Sequence, residues 1–458
     1  MKKAIVVGSG AGGCMVAKEL SKCFDVTLLE AGGAFHPFKY DLNALEPLRR
    51  MGLFFDERMI QLLFPEMRVL KARGGRTHAD GRSARMSAEG RDLGARTHAD
   101  GCGLGELVHV DGRGLGGTTT LATGNAVRAD SALRDIGIDL SPEFEELAAE
   151  VPMTREHYRS WSDLTVRLFA AFEELGYDPQ VTPKFMEDAG RCVACGHCVL
   201  GCRFGAKWTA DRLLDSCENV IVKTGCTVER VVVEGGEARG VVVRERGGSL
   251  LAADLVVLAA GGLNTPVILN ASGVPTKPIL FVDPVICVAA PWREARLEAQ
   301  LPMPFVSQRD GYILSPYFDW LSFFFNGAWR TPAPDIMSIM VKYADSEQGS
   351  FDGKHLDKPF SARDEATIAR SVEEASRVLE QVGVARGDMF LGTLNAGHPG
   401  GCLPLTGAEA NTLHHAALPP NLYVADASLL PHSLGNPPIL TIMALAKRVA
   451  RHAASAMG

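Results

Sequence analysis

Four of the eleven cysteines are crowded into one short run with the spacing C-x2-C-x2-C-x3-C. They are Cys192, Cys195, Cys198 and Cys202. Thiolates at these intervals on a tight loop can converge on the corners of an iron–sulfur cube, either 4Fe-4S or, if Cys202 is not a ligand, 3Fe-4S. Zinc usually takes two separated pairs of ligands and fits this spacing less well. Free buried cysteines or a disulfide are the alternatives that need no metal.

A glycine-rich turn near the start of the chain has the spacing of a phosphate-binding motif. A short apolar run leads into Gly-Ser-Gly-Ala-Gly-Gly at residues 8–13, and a helical pattern follows. Gly8 permits a tight turn, Gly10 admits a pyrophosphate close to the backbone, and Gly13 lets helix and strand pack closely. The N-terminus of the helix favours the phosphates. Glu30, at the end of the next predicted strand, can accept the hydroxyls of an adenosine ribose.

Two further turns, far along the chain, have the composition of ligand-binding loops. Gly116, Gly117 and Thr118 follow a short predicted strand, and Ala260 and Gly261 follow a buried apolar one. Glycines at strand ends permit close approach of the backbone to a ligand. A strand that returns to the nucleotide site so late in the chain is typical of two-dinucleotide-binding flavoproteins. The pattern therefore shifts the expected cofactor from NAD toward FAD.

The last part of the chain carries further polar signals. His398 lies in a Gly-His-Pro-Gly-Gly-Cys loop, where the imidazole alone is only suggestive of acid–base chemistry. Asp426 and Ala427 end a predicted strand, and Asn436 and Pro437 precede a helical pattern. Asparagine at a cap and proline in the first turn favour a helix start. The N-terminus of that helix would direct positive charge at a ligand such as a reduced, anionic flavin.

The elements that must position these residues predict a mixed α/β fold. Residues 1–275 form a Rossmann-like, FAD-binding domain of the two-dinucleotide-binding type, with a long loop at 71–105 and a cysteine-rich insertion at 186–207. Residues 276–395 form a smaller antiparallel-sheet substrate domain. Residues 396–458 return to the FAD-binding domain. The long loop contains two copies of Arg-Thr-His-Ala-Asp-Gly, for which a solvated surface loop is favoured over a metal site.

The predicted substrate domain is rich in aromatic and apolar residues. Strands are expected at 312–314, 320–325 and 336–341, and apolar positions at helical spacing predict an amphipathic helix at 362–382. The aromatic residues of 323–325 are expected in the core or the sheet rather than in a substrate pocket. The lobe therefore identifies no substrate by itself.

The composition excludes several classes of protein. A 458-residue chain with 46% hydrophobic residues is long enough to bury a large core in two or more lobes. A net charge of −7 argues against a nucleic-acid-binding surface. No stretch approaches the roughly 18 apolar residues of a membrane-spanning helix. Clustered cysteines suit a reducing compartment, so we expect a cytoplasmic protein with no nucleic-acid partner and no transmembrane segment.

With these motifs in this order, the chain resembles the glucose–methanol–choline (GMC) family of flavoprotein oxidoreductases. The motifs that carry the resemblance lie at residues 8–30, 114–119, 260–266, 398–402 and 426–437. The last two look most like the branch of cholesterol oxidases, long-chain alcohol oxidases and bacterial sugar or polyol dehydrogenases. The cysteine run followed by Gly205-Ala206-Lys207 is also similar to that branch, in which some dehydrogenase subunits carry an iron–sulfur cluster near this point.

The resemblance implies oxidation of the CH–OH group of an alcohol or polyol to a carbonyl, with hydride transfer to flavin N5. His398 matches the family's catalytic histidine and would take the hydroxyl proton, with His432, four residues before Asn436, as a lesser candidate. Asn436 matches the second active-site position, and its amide would orient the substrate oxygen. Electrons would then pass through the iron–sulfur cluster to a protein acceptor or partner subunit.

The resemblance also assigns contacts with FAD. Besides the three glycine turns and Glu30, these involve Val228, Asp426, Ala427, Asn436 and Pro437. Leu121 and Ala122 stand where many relatives have asparagine or histidine, so non-covalent FAD is expected. The competing functions are an oxygen-using FAD alcohol oxidase without a cluster, a non-catalytic electron-transfer subunit that keeps the flavin fold, and an NAD(P) enzyme.

Overall fold

The structure, a computed structural model, describes residues 1–39, 44, 46–50, 64–73, 107–244, 248–326 and 329–458. Most of the long loop expected at 71–105, including both copies of the repeated hexapeptide, lies outside the described residues. The described part folds around one parallel sheet and one large mixed sheet, with two small antiparallel sheets beside them.

The strands and helices are numbered in chain order. The strands are β1 (Lys2–Val7), β2 (Phe24–Leu29), β3 (Met67–Arg73), β4 (Val108–Gly112), β5 (Met153–Thr154), β6 (Pro179–Val181), β7 (Lys184–Phe185), β8 (Val220–Lys223), β9 (Val228–Glu234), β10 (Glu237–Val243), β11 (Ser249–Ala252), β12 (Leu255–Leu258), β13 (Val285–Pro291), β14 (Phe305–Arg309), β15 (Tyr312–Pro316), β16 (Ile336–Tyr343), β17 (Ser350–Phe351), β18 (Leu356–Asp357), β19 (Phe390–Leu391), β20 (Asn395–Ala396) and β21 (Leu422–Val424). The helices are α1 (Ala11–Leu20), α2 (Glu46–Arg50), α3 (Ser131–Arg134), α4 (Ser141–Glu150), α5 (Asp163–Glu174), α6 (Gly261–Ala271), α7 (Trp320–Phe325), α8 (Ala362–Gln381) and α9 (Ile439–Met457).

The parallel sheet has the strand order β21-β12-β1-β2-β8. Its central strand β1 pairs in parallel with β12 on one side and β2 on the other. The four residues of β12 are buried, as expected of a parallel strand covered on both faces. Because all five strands run the same way, the glycine turns that follow β1 and β12 and the polar turn after β21 open at the same edge of the sheet.

The second large sheet is mixed and has eleven strands. Its centre is antiparallel, with β13 paired to β16 and β16 to β15, and α8 covers one face. Strands from elsewhere in the chain also join the sheet, since β3, β4 and β6 lie before residue 276 and β20 pairs in parallel with β4. The sheet is therefore larger than the sequence indicates, because strands distant in the chain extend an antiparallel core.

Two local expectations had different outcomes. The amphipathic helix expected at 362–382 is α8, which starts with a capping box between Ser361 and Asp364. The strand expected at 320–325 is wrong, because these residues form the short helix α7. Asp319 causes the difference: its carboxylate accepts the N–H of Leu321 and caps the helix. Among the described residues, no helix is both long and apolar enough to cross a membrane.

Candidate active site

The first glycine turn has three crowded glycines, Gly8, Gly12 and Gly13, and one, Gly10, that faces open space. Gly8 has a φ of +97°, and a Cβ there would lie 2.3 Å from the carbonyl oxygen of Ala259. A Cβ on Gly13 would lie 1.8 Å from the carbonyl oxygen of Gly8, so α1 packs directly on the turn. A Cβ on Gly10 would meet nothing within 4 Å. The turn thus leaves room for a ligand at the N-terminus of α1, where free N–H groups favour phosphate.

Glu30 lies beside this turn at the end of β2. Its Oε2 accepts the N–H of Ser9 at 3.1 Å and the Ser9 hydroxyl at 2.7 Å, and its Oε1 accepts the N–H of Gly32 at 2.8 Å. The backbone of Glu30 also accepts the N–H of Cys226 at 2.8 Å. Val228, the buried first residue of β9, follows two residues later. The structure thus brings Glu30 to the first turn and the start of β9 to the same edge.

The second glycine turn touches the first. Gly116 and Gly117 have φ values of +91° and +54°. A Cβ on Gly117 would lie 2.7 Å from the Cα of Gly10, so any side chain there would close the space beside the first turn. Thr118 is held by its hydroxyl, which accepts the N–H of Gly112 at 3.1 Å. Both turns therefore line one cradle that a Cβ would fill, as close approach of a pyrophosphate requires.

The third turn is tied to the end of β21 by one buried carboxylate. Asp426 Oδ2 accepts the N–H of Gly261 at 2.9 Å and the hydroxyl of Thr265 at 2.5 Å. The same hydroxyl accepts the N–H of Ala260 at 3.2 Å. Burial raises the pKa of Asp426 above its usual value. Ala427 begins a short 3-10 helix directly after this carboxylate. A Cβ on Gly261 would meet nothing within 4 Å, so a second open surface faces the same edge.

His398 lies on the loop that follows β20, and this loop packs on the N-terminus of α6. A Cβ on Gly262 would lie 2.0 Å from the carbonyl oxygen of Pro399. The N–H of His398 donates to the carbonyl of Val282 at 3.4 Å. Its Nδ1 is buried and has no hydrogen-bond partner among the described residues. The histidine is thus held by its backbone, and its buried Nδ1 makes no hydrogen bond among the described residues.

The surroundings of His398 favour the neutral imidazole. Burial, together with the charges of Lys342 and His109, lowers its pKa well below the usual 6.5. Lys342 pairs with Asp283 at 2.5 Å, and both side chains are buried. The other oxygen of Asp283 accepts the N–H of Gly435 at 3.1 Å. This ion pair therefore connects the surroundings of His398 with the loop that precedes α9.

Asn436 lies on that loop, and no hydrogen bond joins it to His398 in the described part of the chain. Its amide exchanges two hydrogen bonds with Gln308, at 2.8 and 3.2 Å. The expected helix cap is wrong: α9 begins at Ile439 after Pro438, with no side-chain cap, because the Asn436 amide bonds to β14 instead. Pro437, between Asn436 and Pro438 in the chain, is buried. Asn436 thus lies next to Gly435, which is tied to Asp283, and its amide is engaged by another side chain.

His109 was missed from the sequence. It is fully buried on β4, its Nδ1 has no partner among the described residues, and its Nε2 lies 3.4 Å from Asp111 Oδ2. Burial alone would raise the pKa of Asp111, but Arg68 and His109 hold it at about 2. Arg68 also donates to Asn264 on α6 at 2.9 Å. The only signal in the sequence was the presence of two polar residues, His109 and Asp111, at alternate positions of the short strand β4.

The four cysteines of the run line one pocket together with apolar groups. Its lining includes Cys192, Cys195, Cys198, Cys202, Val193, Ala194, Phe204, Ala206 and Leu301, around a space of about 310 Å³ that is partly open to solvent. All four are free thiols, so the disulfide alternative is wrong. Within the described ranges, no group of three or more His, Cys, Asp or Glu side chains could hold a metal ion as it stands. That result disfavours zinc, and no finding shows an iron–sulfur cluster.

The cysteine pocket nevertheless fits a cluster better than a single ion. Each thiolate of a four-cysteine cluster site binds a separate iron atom, so the ligands must surround a pocket rather than meet at one point. Two buried lysines lie nearby: burial lowers the pKa of Lys184 to about 7 and of Lys207 to about 8. Burial raises the pKa of Cys198 to about 12, against the opposing effect of both lysines. Thiolate and ammonium groups therefore favour each other here.

The family is decided by its sequence model. A model described as GMC oxidoreductase matches residues 3–287, which is more than half of the chain. The chain belongs to the GMC oxidoreductase family. This confirms the family, the Rossmann-like α/β fold class and the enzyme class predicted from the sequence. FAD is the cofactor that membership of this GMC family supports.

Relatives agree with the assignment to the GMC family. An uncharacterised protein of Methanocaldococcus jannaschii is 28% identical over 345 residues, which cover 73% of this chain and 85% of the relative. An uncharacterised GMC-type oxidoreductase of Mycobacterium tuberculosis is 28% identical over 299 residues, 60% of this chain and 40% of its own length. A long-chain-alcohol oxidase of Arabidopsis thaliana is 30% identical over 134 residues, 25% of this chain and 18% of the relative.

Solved structures share the fold of this GMC protein over almost its whole length. Pyridoxine 4-oxidase from Mesorbium loti superposes with a TM-score of 0.68 at 17% identity, covering 98% of this chain and 99% of the other. Formate oxidase of Aspergillus oryzae RIB40 gives 0.65 at 13% identity, covering 99% and 98%. At these identities the comparison establishes the common fold and leaves the substrate open.

Proposed function

We propose that this GMC oxidoreductase is a dehydrogenase that oxidises the CH–OH group of an alcohol or polyol to a carbonyl. Bound FAD would supply the hydride acceptor. The observation that carries the proposal is His398, a buried neutral imidazole with an unpartnered Nδ1, on a loop packed against α6 at the edge where the glycine turns open. A neutral imidazole in that position is a proton acceptor.

The residues that would hold FAD are those of the cradle. The pyrophosphate would be surrounded by Gly8, Gly10, Gly13, Gly116, Gly117 and Thr118. The adenosine end would lie against Glu30 and Val228. The rest of FAD would lie against Ala260, Gly261, Asp426, Ala427, Asn436 and Pro437. The fit rests on the open space at Gly10 and Gly261 beside crowded glycines. Leu121 and Ala122 offer no nucleophile, so binding is non-covalent.

The proton chemistry is assigned to His398 and its neighbours. His398 takes the substrate hydroxyl proton at its unpartnered Nδ1, and it stays unprotonated before reaction because burial and Lys342 disfavour a cation. Asn436 orients the substrate oxygen once its amide exchanges Gln308 for substrate. His109, whose Nε2 lies 3.4 Å from Asp111 Oδ2, places a second imidazole near the first.

We also propose that the cysteine pocket holds an iron–sulfur cluster. Its ligands would be Cys192, Cys195 and Cys198, with Cys202 as the fourth in a 4Fe-4S form. Such a cluster would supply one-electron transfer toward a protein acceptor or partner subunit. The support is four free thiols around one largely apolar pocket. Free thiols also agree with a reducing, cytoplasmic location.

The test uses anaerobically purified full-length protein. Candidate alcohols and polyols should bleach the flavin absorbance, and His398→Ala should slow bleaching by about 10²–10⁴-fold, the usual contribution of a general base. His432→Ala is the matched control, because this exposed histidine lies on the loop before α9 and bonds only to a backbone carbonyl. Unchanged bleaching in His398→Ala would remove His398 as the base.

The alternative is an oxygen-using FAD alcohol oxidase without a cluster. It is favoured by the finding that no described group of side chains is arranged to hold a metal ion. Iron and acid-labile sulfide in stoichiometric amounts, with slow oxygen uptake, would support the dehydrogenase. Absence of both, with rapid hydrogen peroxide formation from an alcohol, would support the oxidase. A protein that binds FAD and is bleached by no alcohol would instead point to a non-catalytic electron-transfer subunit.

A further inference from the structure

The described residues contain five buried lysines, and two of them lack an acidic partner. The five are Lys184, Lys207, Lys342, Lys358 and Lys447. Three of them form ion pairs within the protein. Lys342 pairs with Asp283 at 2.5 Å, Lys358 with Asp345 at 2.7 Å, and Lys447 with Glu150 at 2.5 Å. For Lys184 and Lys207, no carboxylate oxygen of the described residues lies within the 4.0 Å of a salt bridge. Lys207 bonds to the carbonyl of Cys198, which lines the cysteine pocket, and Lys184 bonds to the carbonyl of Pro302, which directly follows the pocket residue Leu301.

Neutral oxygens alone contact the two unpaired lysines. Lys207 Nζ donates to the carbonyls of Thr120 at 2.7 Å, Ala122 at 2.8 Å and Cys198 at 2.8 Å. Lys184 Nζ donates to the Asn125 side chain and to a backbone carbonyl at 2.6 Å. Such contacts satisfy the N–H groups but leave the charge uncompensated. Burial of an unpaired ammonium is costly, so a negative partner is expected nearby.

The groups that can supply this negative charge are the cysteines. The charges that act on Lys184 are those of Cys192 and Cys198, opposed by Lys207. The charges that act on Lys207 are those of Cys198, Cys202 and Asp211. A cluster held by thiolates carries net negative charge, which becomes more negative when the cluster is reduced. Two buried cations beside it would stabilise the reduced form more than the oxidised one.

We infer that Lys184 and Lys207 are the counter-charges of the cysteine-bound cluster and that they raise its reduction potential. The inference rests on the proposed cluster and concerns residues that the comparisons do not assign. Lys207 has an additional role, because Thr120 ends the 3-10 helix Gly117–Thr120 of the FAD cradle. The three hydrogen bonds of Lys207 therefore fix the cysteine loop against the second glycine turn. This contact sets the distance between the cluster and FAD.

The experiment is a redox titration of the cluster, followed by electron paramagnetic resonance, in anaerobically purified full-length protein without substrate. Lys184→Gln and Lys207→Gln remove the charge and keep an N–H donor. Lys207→Arg keeps the charge. Arg203→Gln is the matched control, because Arg203 adjoins Cys202 but is exposed, so solvent screens its charge. We expect a lower midpoint potential in both glutamine variants, a near-native one in Lys207→Arg, and a much smaller shift in Arg203→Gln.

The outcomes separate this inference from the proposed function. Wild-type protein without iron and sulfide would overturn the cluster and this inference together. A wild-type cluster whose potential moves no more in Lys184→Gln and Lys207→Gln than in Arg203→Gln would overturn the inference alone. If Lys207→Gln loses iron and Lys207→Arg retains it, the charge is needed to hold the cluster, which supports the inference. Iron loss in both Lys207 variants with a native potential in Lys184→Gln would overturn it.

Discussion

Gly10 and Gly13, three residues apart, differ in what limits their size. A Cβ on Gly10 enters open space, and the residue has an ordinary φ of −75°, so the protein itself tolerates alanine. A Cβ on Gly13 would meet the carbonyl of Gly8 at 1.8 Å. We expect Gly10→Ala to fold with near-native thermal stability but to lose FAD. Gly13→Ala should instead lose about 1–3 kcal/mol of unfolding free energy through overpacking.

FAD content by absorbance and unfolding by circular dichroism would measure both effects. The two variants serve as controls for each other, since each adds one methyl group to the same turn. Native FAD affinity in Gly10→Ala would contradict the position assigned to the pyrophosphate. Native stability in Gly13→Ala would contradict the close packing of α1 on the turn.

His157 gives the protein a predictable acid sensitivity. Its Nε2 lies 2.8 Å from the carbonyl of Thr182, and its Nδ1 accepts the indole N–H of Trp161 at 3.2 Å. Burial lowers its pKa to about 4. Because the unfolded chain binds this proton near pH 6.5, the histidine's contribution to stability is complete above pH 6.5 and is lost between about 6.5 and 4. His398, whose pKa is also lowered, acts in the same direction.

Denaturant unfolding followed at several pH values would measure this sensitivity. His157→Gln should flatten the fall in unfolding free energy between pH 6.5 and 4, since an amide can keep both contacts without titrating. His36→Gln is the control, because this histidine is exposed. An equally steep fall in His157→Gln and in the wild type would show that other groups dominate.

At the scale of elements, α8 depends on its first turn. The Ser361 hydroxyl accepts the N–H of Asp364 at 3.2 Å, and the Asp364 carboxylate accepts the N–H of Ser361 at 2.7 Å. Ser361→Ala should cost about 1 kcal/mol of unfolding free energy. Ser361→Thr, which keeps the hydroxyl, should cost less. FAD content should not change in either variant, because α8 packs on the mixed sheet. Loss of FAD in Ser361→Ala would contradict this separation.

How far the sequence predicts these elements depends on whether their causes are local. The turn at Gly8, the helix at 362–381 and the strand β12 follow from spacing within a few residues, and all three form as predicted. Residues 320–325 have strand-like composition, but the cap from Asp319 makes them a helix. Asn436 has the right type for a cap and bonds to Gln308 instead. The cap from Asp319 is local and could have been found in the sequence, whereas Gln308 lies 128 residues from Asn436 and no local pattern reveals it.

The candidate site was predictable only where local geometry restricts the residue type. The glycine turns were predictable because backbone geometry restricts the residue type. The role of His109 was not, since it depends on Asp111, on Arg68 from a neighbouring strand and on β20 beside it. The mixed sheet was predicted as smaller for a similar reason: β3, β4 and β6 join it from distant parts of the chain.

At the scale of the whole molecule, one buried lysine connects three helices. Lys447 on α9 pairs with Glu150 at 2.5 Å and Glu146 at 3.0 Å on α4, and with Glu19 at 3.5 Å on α1. Removing the cation leaves these carboxylates without their central partner. Lys447→Met should therefore lose about 1–3 kcal/mol of unfolding free energy, since Lys18 and Arg451 still pair with these glutamates.

Urea unfolding would measure this loss. Lys18→Met is the matched control, since Lys18 pairs with the same Glu150 at 2.8 Å but is partly exposed and should contribute below about 1 kcal/mol. Equal losses in the two variants would contradict the special position of Lys447. A stabilised Lys447→Met would show that the desolvation cost exceeds the attraction.

The strand order of the parallel sheet also has a consequence during synthesis. The first strand begins at Lys2, whereas its sheet is completed by β21 at Leu422–Val424, and Asp426 fastens the turn after β12. A ribosome must therefore make nearly all of this chain before the FAD cradle can close. Nascent chains that stop before Leu422 should be unable to retain FAD, and cofactor capture should be a late event that follows release of the last strand from the exit tunnel.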